Sequence, residues 1–156
     1  MKLKILVATM TRTAEHVARA IEMDCTDLVC IEVKMMDDLD ISVFDGAEPT
    51  ADLFLICSST YGSGDLPDNA HRLYESLDSD PRFLGHVRYG VVALGDRTYG
   101  PTFCFGGKRF DERLQGLGAV RTGEIWCHDA SAGTVPELEA SAWCRAWLST
   151  ALSESS

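Results

Sequence analysis

A loop with the residue types of a ligand-binding site lies at residues 58–69, directly after the apolar run 51–57. It carries hydroxyl groups, an aromatic ring at Tyr61 and glycines at Gly62 and Gly64. Glycine lets a ligand approach the backbone closely, and an aromatic ring offers a flat surface for stacking. This combination favours a planar, phosphorylated cofactor that contains a ring. The candidate contacts are Ser59, Thr60, Tyr61, Gly62 and Gly64.

A capped turn is the alternative interpretation of the same loop. Asp65 would cap the following helix, and Pro67 would fit its first turn. A capped turn does not explain why an aromatic ring, Tyr61, stands in an otherwise polar and exposed loop.

Another candidate loop, residues 9–14, joins the first apolar run to the first helical pattern. Because it comes earlier along the chain, we call it the first loop and residues 58–69 the second loop. Its sequence, TMTRTA, places three hydroxyl groups beside the amino-terminal amides of a helix, where a phosphate can bind. A threonine-rich helix cap without a ligand would have the same composition, so the loop alone leaves both interpretations open. It matches neither GxGxxG nor the Walker pattern, which argues against a dinucleotide or a nucleoside triphosphate. The candidate contacts are Thr9, Met10, Thr11, Arg12, Thr13 and Ala14.

A third candidate loop, residues 95–104, follows the apolar run 87–94 and again contains an aromatic ring, Tyr99. A single tyrosine there is typical of ordinary packing. Tyr61 and Tyr99, however, follow neighbouring predicted strands and would face each other across a slot that fits a flat heterocycle. The candidate contacts are Gly95, Asp96, Thr98, Tyr99, Phe103 and Cys104.

Apolar runs alternate with helical patterns along the chain, which predicts βαβ units and a mainly parallel sheet. The predicted strands are residues 3–8, 27–34, 51–57, 87–94 and 119–126. The predicted helices are one containing Val17, Ala18 and Ile21, then residues 67–77, 103–117 and 136–152. Residues 35–48 are acidic and irregular with one short helical turn, and the tail 149–156 is expected to be loose. One α/β domain, residues 1–152, accounts for the whole pattern.

The composition excludes several classes of function. The chain has 156 residues and a formal net charge of −10, which argues against nucleic acid and anionic membranes as partners. The acidic surface favours basic protein partners or serves solubility alone. No apolar run has the length of a membrane span, and the amino-terminal apolar stretch is too short for a secretion signal. We therefore expect a cytoplasmic monomer.

The six cysteines form no CxxC pair, and neither they nor the four histidines show the spacing of a metal site. Their spacing does not match a disulfide framework either. The sequence therefore predicts reduced, mostly buried thiols and no bound metal.

Together the three loops resemble those of the flavodoxin family, in the same order along the chain. Residues 61–69, with the pattern YGxGDxPDN, are similar to short-chain flavodoxins of the MioC type and to the flavodoxin domains of diflavin reductases. Residues 108–114 and 117–119 continue the similarity. The resemblance implies a flavodoxin-like three-layer sandwich with a five-stranded parallel sheet of order 2-1-3-4-5. It also implies flavin mononucleotide (FMN) at the carboxyl edge of that sheet.

The resemblance implies specific roles around the flavin ring. Tyr61 and Tyr99 would flank the ring, and the backbone at Asp96 and Cys104 would bond to its pyrimidine edge. The carbonyl of Gly62 would meet the N5–H of the one-electron-reduced ring. Glycine suits that position because a peptide that flips needs access to positive φ.

Two departures from the family pattern concern the first and third loops. By resemblance, Thr9, Thr11, Thr13 and nearby amides would hold the phosphate, but Arg12 stands where the family usually has glycine. If that position needs positive φ, arginine costs roughly 1–2 kcal/mol there. Its guanidinium could instead pair with the phosphate. The third loop is one residue longer than in similar members, near residues 100–101.

The function implied is that of an FMN-binding one-electron carrier between a basic flavoprotein reductase and an acceptor redox protein, with no catalytic residues. Nearby carboxylates would disfavour negative charge on the ring. Each contributes roughly 2 kcal/mol at about 8 Å and an effective dielectric of about 20, or roughly 90 mV for one electron. The candidates are Asp65, Asp68, Asp96 and Asp129.

The sequence leaves two alternatives open. One is an FMN-dependent quinone-type oxidoreductase, although no nicotinamide fingerprint and no acid–base pair stands out in the loops. The other is a cofactor-free binding domain of the same fold, for which Arg12 is the main argument.

Overall fold

A parallel sheet forms the centre of the protein. The computed structural model describes residues 2–9, 12–44, 53–60, 65–96 and 104–155. Within these ranges the strands are β1 (Lys2–Ala8), β2 (Cys30–Met35), β3 (Leu53–Ser58), β4 (Arg88–Gly95), β5 (Val120–Arg121) and β6 (Trp126–Asp129). The strand order is β2-β1-β3-β4, with β5 and β6 in succession along the outer edge of β4, and every pairing is parallel. The predicted order 2-1-3-4-5 is confirmed.

Helices cover both faces of the sheet. They are α1 (Thr13–Cys25), α2 (His71–Ser79), α3 (Phe105–Gly116) and α4 (Pro136–Ser155). Short 3₁₀ helices lie at Met36–Asp38, Ile41–Phe44, Asp68–Ala70 and Ala130–Ala132. None of the helices in the described ranges is long and apolar enough to cross a bilayer.

The three layers follow from the alternation of side chains along each strand. In β1, Leu3, Ile5 and Val7 pack with α1 and α4. Leu6 and Ala8 point to the opposite face, where they pack with α2 and α3. Both faces of the central strands are therefore buried, which explains why their sequences read as continuous apolar runs.

The fifth strand is interrupted, so the prediction of one continuous strand over residues 119–126 is wrong. Gly123 has φ +73°, and the chain leaves β4 there before β6 pairs with β4 again. The indole Nε1–H of Trp147 donates to the carbonyl of Thr122 over 2.8 Å. A tryptophan from the last helix thus provides a hydrogen-bond donor for a backbone carbonyl in the gap between β5 and β6.

The carboxyl-terminal tail is helical rather than loose, because α4 continues to Ser155. Leu148 and Ala151 are buried in the core, and the guanidinium of Arg88 donates to the carbonyl of Ala151 over 3.2 Å. Packing against the sheet stabilises the last helical turns of α4, which a serine-rich tail would not form alone. The other elements lie close to their predicted bounds.

Candidate functional site

The ends of β1, β3 and β4 lie side by side at one edge of the sheet. Ala8 pairs with Ser58, and Ser58 pairs with Ala93. Outside β4, Asp129 at the end of β6 pairs with Gly95. The three candidate loops therefore leave the sheet at the same edge, as the sequence predicted.

The structure describes only part of each loop. The candidate site residues that the structure describes are Thr9, Arg12, Thr13, Ala14, Ser59, Thr60, Gly95, Asp96 and Cys104. The candidates outside the described residues are Met10, Thr11, Tyr61, Gly62, Gly64, Thr98, Tyr99 and Phe103. The slot between the two tyrosines therefore stays a prediction.

Thr9, at the beginning of the first loop, has a buried hydroxyl group. Its Oγ1 is buried and has no hydrogen-bond partner among the described residues, the only such side-chain atom there. Leaving a polar atom unpaired in this way costs roughly 1–3 kcal/mol. The atom therefore marks a position where a hydrogen-bonding ligand would be stabilised.

Arg12 adopts the left-handed conformation, with φ 70° and ψ 0°, directly before α1. The position does require positive φ, which costs a residue with a Cβ roughly 1–2 kcal/mol. The Arg12 side chain does not cap α1, is 72% exposed and pairs through Nε with the Glu15 carboxylate at 3.1 Å. The positive end of the α1 dipole is thus not capped by this side chain, an arrangement that suits an anion.

Replacing Arg12 by glycine should stabilise the protein. We expect R12G to raise the free energy of unfolding by about 1 kcal/mol, since glycine adopts positive φ readily. The exposed pair with Glu15 contributes little to offset this gain. Urea denaturation measures the change. R12A is the matched control because it removes the guanidinium but keeps the strain, and an R12G variant no more stable than R12A would contradict the argument.

The second loop contacts the start of α3 closely. The backbone N–H of Gly106 donates to Thr60 Oγ1 over 2.9 Å. A Cβ atom at Gly106 would lie 2.2 Å from the carbonyl oxygen of Ser59, and one at Gly107 would lie 2.6 Å from the Cβ of Ala93. Sequence reasoning missed these two glycines, although adjacent glycines inside a predicted helix are an unusual pattern that signals close packing.

A methyl group at Gly106 should therefore disturb the site. We expect G106A to lower the free energy of unfolding by about 2 kcal/mol, because α3 must move away from the backbone of Ser59. G116A is the matched control on the same helix, since a Cβ there meets no atom within 4 Å. Alanine in that helical position should be neutral or stabilising by up to about 1 kcal/mol. Equal thermal stability of both variants would rule out the close contact.

Cys104 precedes α3 in a left-handed conformation, φ 64°, and forms a disulfide with Cys127 on β6. The two Cα atoms are 6.2 Å apart, within the range that a disulfide spans. The prediction of reduced thiols is therefore wrong for Cys104 and Cys127. These two residues lie close together because β6 pairs with β4. The remaining cysteines are free: Cys25, Cys30, Cys57 and Cys144. Burial raises the pKa of the Cys57 thiol to about 12.

Reduction of the disulfide should destabilise the protein. The bridge joins residues 23 apart in sequence, and closing a loop of that length contributes about 3 kcal/mol in the chain-entropy description. Urea denaturation with and without a thiol reductant measures the effect, and C127S should not respond to the reductant. Thiol labelling of the untreated, unfolded protein should find the four free cysteines, so six labelled thiols would contradict the assignment.

The candidate carboxylates differ in exposure. Asp65 and Asp68 are exposed, whereas Asp96 and Asp129 are half-buried. The Asp129 carboxylate accepts the backbone N–H of Ser131 over 2.9 Å, which fixes it at the end of β6. Because charges near the protein interior are screened less by salt, the carboxylates of Asp96 and Asp129 are less screened than those of Asp65 and Asp68.

Asn69 is a site residue that sequence reasoning did not select. Its Oδ1 accepts the backbone N–H of Thr9 over 2.9 Å. Its Nδ2 lies 3.1 Å from the carbonyl oxygen of Val7 and 3.3 Å from Oδ2 of Asp37, and donates to both. The second loop thereby holds the beginning of the first loop. The sequence placed Asn69 in the turn but gave no sign of these partners, which are distant along the chain.

The strand order and the helices on both faces define a doubly wound α/β protein, a class in which ligands bind at the carboxyl edge of the sheet. The Flavodoxin family model matches residues 5–143. The chain therefore belongs to the flavodoxin family, as the resemblance of its loops indicated.

Several curated proteins are similar in sequence. Flavodoxin YqcA of Escherichia coli strain K12 is 44% identical over 93 residues, which are 60% of this chain and 62% of YqcA. The chain thus aligns with a little under two thirds of that relative. Protein MioC of the same strain is 31% identical over 135 residues, 86% of this chain and 85% of MioC. The sulfite reductase [NADPH] flavoprotein alpha-component of Vibrio cholerae is 39% identical over 122 residues, 77% of this chain but 19% of the reductase subunit.

A solved structure supports the same assignment. A cysteine-to-serine mutant of flavodoxin from Pseudomonas aeruginosa superimposes with a TM-score of 0.80 at 30% sequence identity. The match covers 96% of this chain and 98% of that one. The similarity to MioC, to a sulfite reductase flavoprotein component and to a flavodoxin structure confirms the family prediction.

Proposed function

We propose that this protein binds FMN at the edge formed by β1, β3 and β4 and carries single electrons between a basic flavoprotein reductase and an acceptor redox protein. Membership of the flavodoxin family supports FMN as the cofactor. The observation that carries the proposal on this chain is the buried hydroxyl of Thr9, which has no partner among the described residues and stands four positions before α1 in the sequence.

The described residues of the first loop fit a phosphate group. A phosphate oxygen would give Thr9 Oγ1 the partner that it lacks within the described part of the chain. Amides of the first turn of α1, at Thr13 and Ala14, would bind the same group with the help of the helix dipole. In the structure the Arg12 guanidinium pairs with Glu15 instead of pointing to a cap position. We therefore assign phosphate binding to hydroxyls and amides rather than to Arg12.

Bound FMN supplies the redox chemistry, and the protein adjusts its energy. Asp96 and Asp129 lie half-buried at the ends of β4 and β6. Their carboxylates disfavour additional negative charge at the edge of the sheet. This favours a strongly reducing carrier.

The charge of the chain supports the choice of partners. A formal net charge of −10 attracts a basic docking surface and accelerates encounter with it. Such steering weakens as the salt concentration rises. A carrier that must meet two proteins in turn benefits from fast encounter more than from tight binding.

Titration with FMN, followed by anaerobic reduction, tests the proposal. We expect FMN fluorescence to be quenched at a ratio of one FMN per chain, and we expect the bound flavin to pass through a one-electron-reduced stage. Turnover of NAD(P)H with quinones should be slow unless a flavoprotein reductase is added.

The other outcomes point to the alternatives. Absence of FMN binding would favour a cofactor-free domain of this fold. Rapid NAD(P)H–quinone turnover without a partner would favour a flavoenzyme. Reduction in a single two-electron step, with no intermediate stage at any point of the titration, would count against the carrier.

A further inference from the structure

The side chain of Asn69 lies where the hydrogen-bonding ladder between β1 and β2 stops. The last pair of that ladder is Val7 with Met35. On the opposite side of β1, the N–H of Ser59 donates to the carbonyl of Ala8 over 2.9 Å, so β3 still provides partners there. On the β2 side, the backbone groups that follow the last ladder pair need hydrogen-bond partners that do not come from β2.

Asn69 provides that partner. In a parallel ladder, one residue bonds to the carbonyl of residue i and to the N–H of residue i+2 on the neighbouring strand. The amide of Asn69 does the same with its side chain, since it bonds to the carbonyl of Val7 and to the N–H of Thr9. The chain contains no other asparagine.

We propose that Asn69 is a positioning residue that fixes Thr9 for binding the phosphate of the cofactor. This inference rests on the proposed function. The hydrogen bond to the N–H of Thr9 fixes the backbone at the point where the first loop leaves β1. It thereby sets the direction of the Thr9 side chain, whose hydroxyl is buried and unpaired within the described residues.

The partners of Asn69 also explain why an amide, and not a carboxylate, stands there. Nδ2 donates to the carbonyl of Val7 and lies 3.3 Å from the carboxylate of Asp37. An aspartate at position 69 would keep an acceptor for the Thr9 N–H. It would lose the donor, and it would place a second negative charge beside Asp37 and near a bound phosphate.

Affinities for FMN and riboflavin separate positioning of the phosphate site from a general structural effect, because riboflavin lacks the phosphate. We expect N69A to weaken FMN binding about tenfold, which equals about 1.4 kcal/mol, and riboflavin binding less than about twofold. N69D should weaken FMN binding further, and low salt should enlarge its deficit. Q115A is the matched control, because it removes the only glutamine amide of the chain at an exposed position on α3.

T9V tests the group on which Asn69 is proposed to act. It removes the unpaired hydroxyl while keeping the shape of the side chain, and it should reproduce the selective loss of FMN affinity. Combining T9V with N69A should then cost less than the sum of the two single effects.

Amide hydrogen exchange of the full chain gives a readout that does not depend on flavin. In N69A the amide of Thr9 should exchange at least about tenfold faster, whereas amides of β4 should keep their rates. Unchanged exchange at Thr9, or equal losses of FMN and riboflavin affinity, would overturn the role of Asn69 alone. Failure of the unmodified protein to bind FMN would overturn the proposed function, and with it the phosphate role, whatever the exchange rates show.

Discussion

The backbone groups at the ends of the parallel strands need hydrogen-bond partners after the strands themselves stop, and this requirement shapes the whole site. Ser59 supplies one to Ala8, and Asn69 supplies two to the end of β1. Thr60 accepts the N–H of Gly106 at the start of α3. Each bond joins a residue of one loop to the end of β1 or to the start of α3. The described parts of the loops are therefore held in place by contacts with neighbouring elements.

The same edge of the sheet contains the least relaxed parts of the backbone. Arg12 and Cys104 are the two non-glycine residues with positive φ in the described ranges, and they stand directly before α1 and α3. Thr9 adds a buried hydroxyl that has no partner within the described part of the chain. Such unfavourable features persist where the surrounding structure holds them, and they are concentrated at binding sites. A ligand that pairs with Thr9 would offset part of this energy, so binding and stability are linked here.

The alternation of apolar runs and helical patterns predicted a mainly parallel sheet and the shared edge of the three loops, and the family resemblance implied the order of its strands. The sequence did not predict the break in the fifth strand, which depends on Trp147 from the last helix. The disulfide of Cys104 with Cys127 and the bonds of Asn69 to β1 were missed for the same reason. Residues that are far apart in sequence come into contact only once the fold is formed, and no local sequence pattern indicates such contacts.

The two ends of the site are held by different chemistry. The first loop is fixed by neutral hydrogen bonds from Asn69, which respond little to salt or to redox conditions. The third loop ends at Cys104, which is covalently tied to β6 through Cys127. A reductant breaks the second restraint and leaves the first intact. Under the proposed function, the first loop would hold the phosphate and the third loop would contact the flavin ring. A change in thiol redox state would then act on the ring end of the site, while the bonds of Asn69 to β1 at the phosphate end would stay intact.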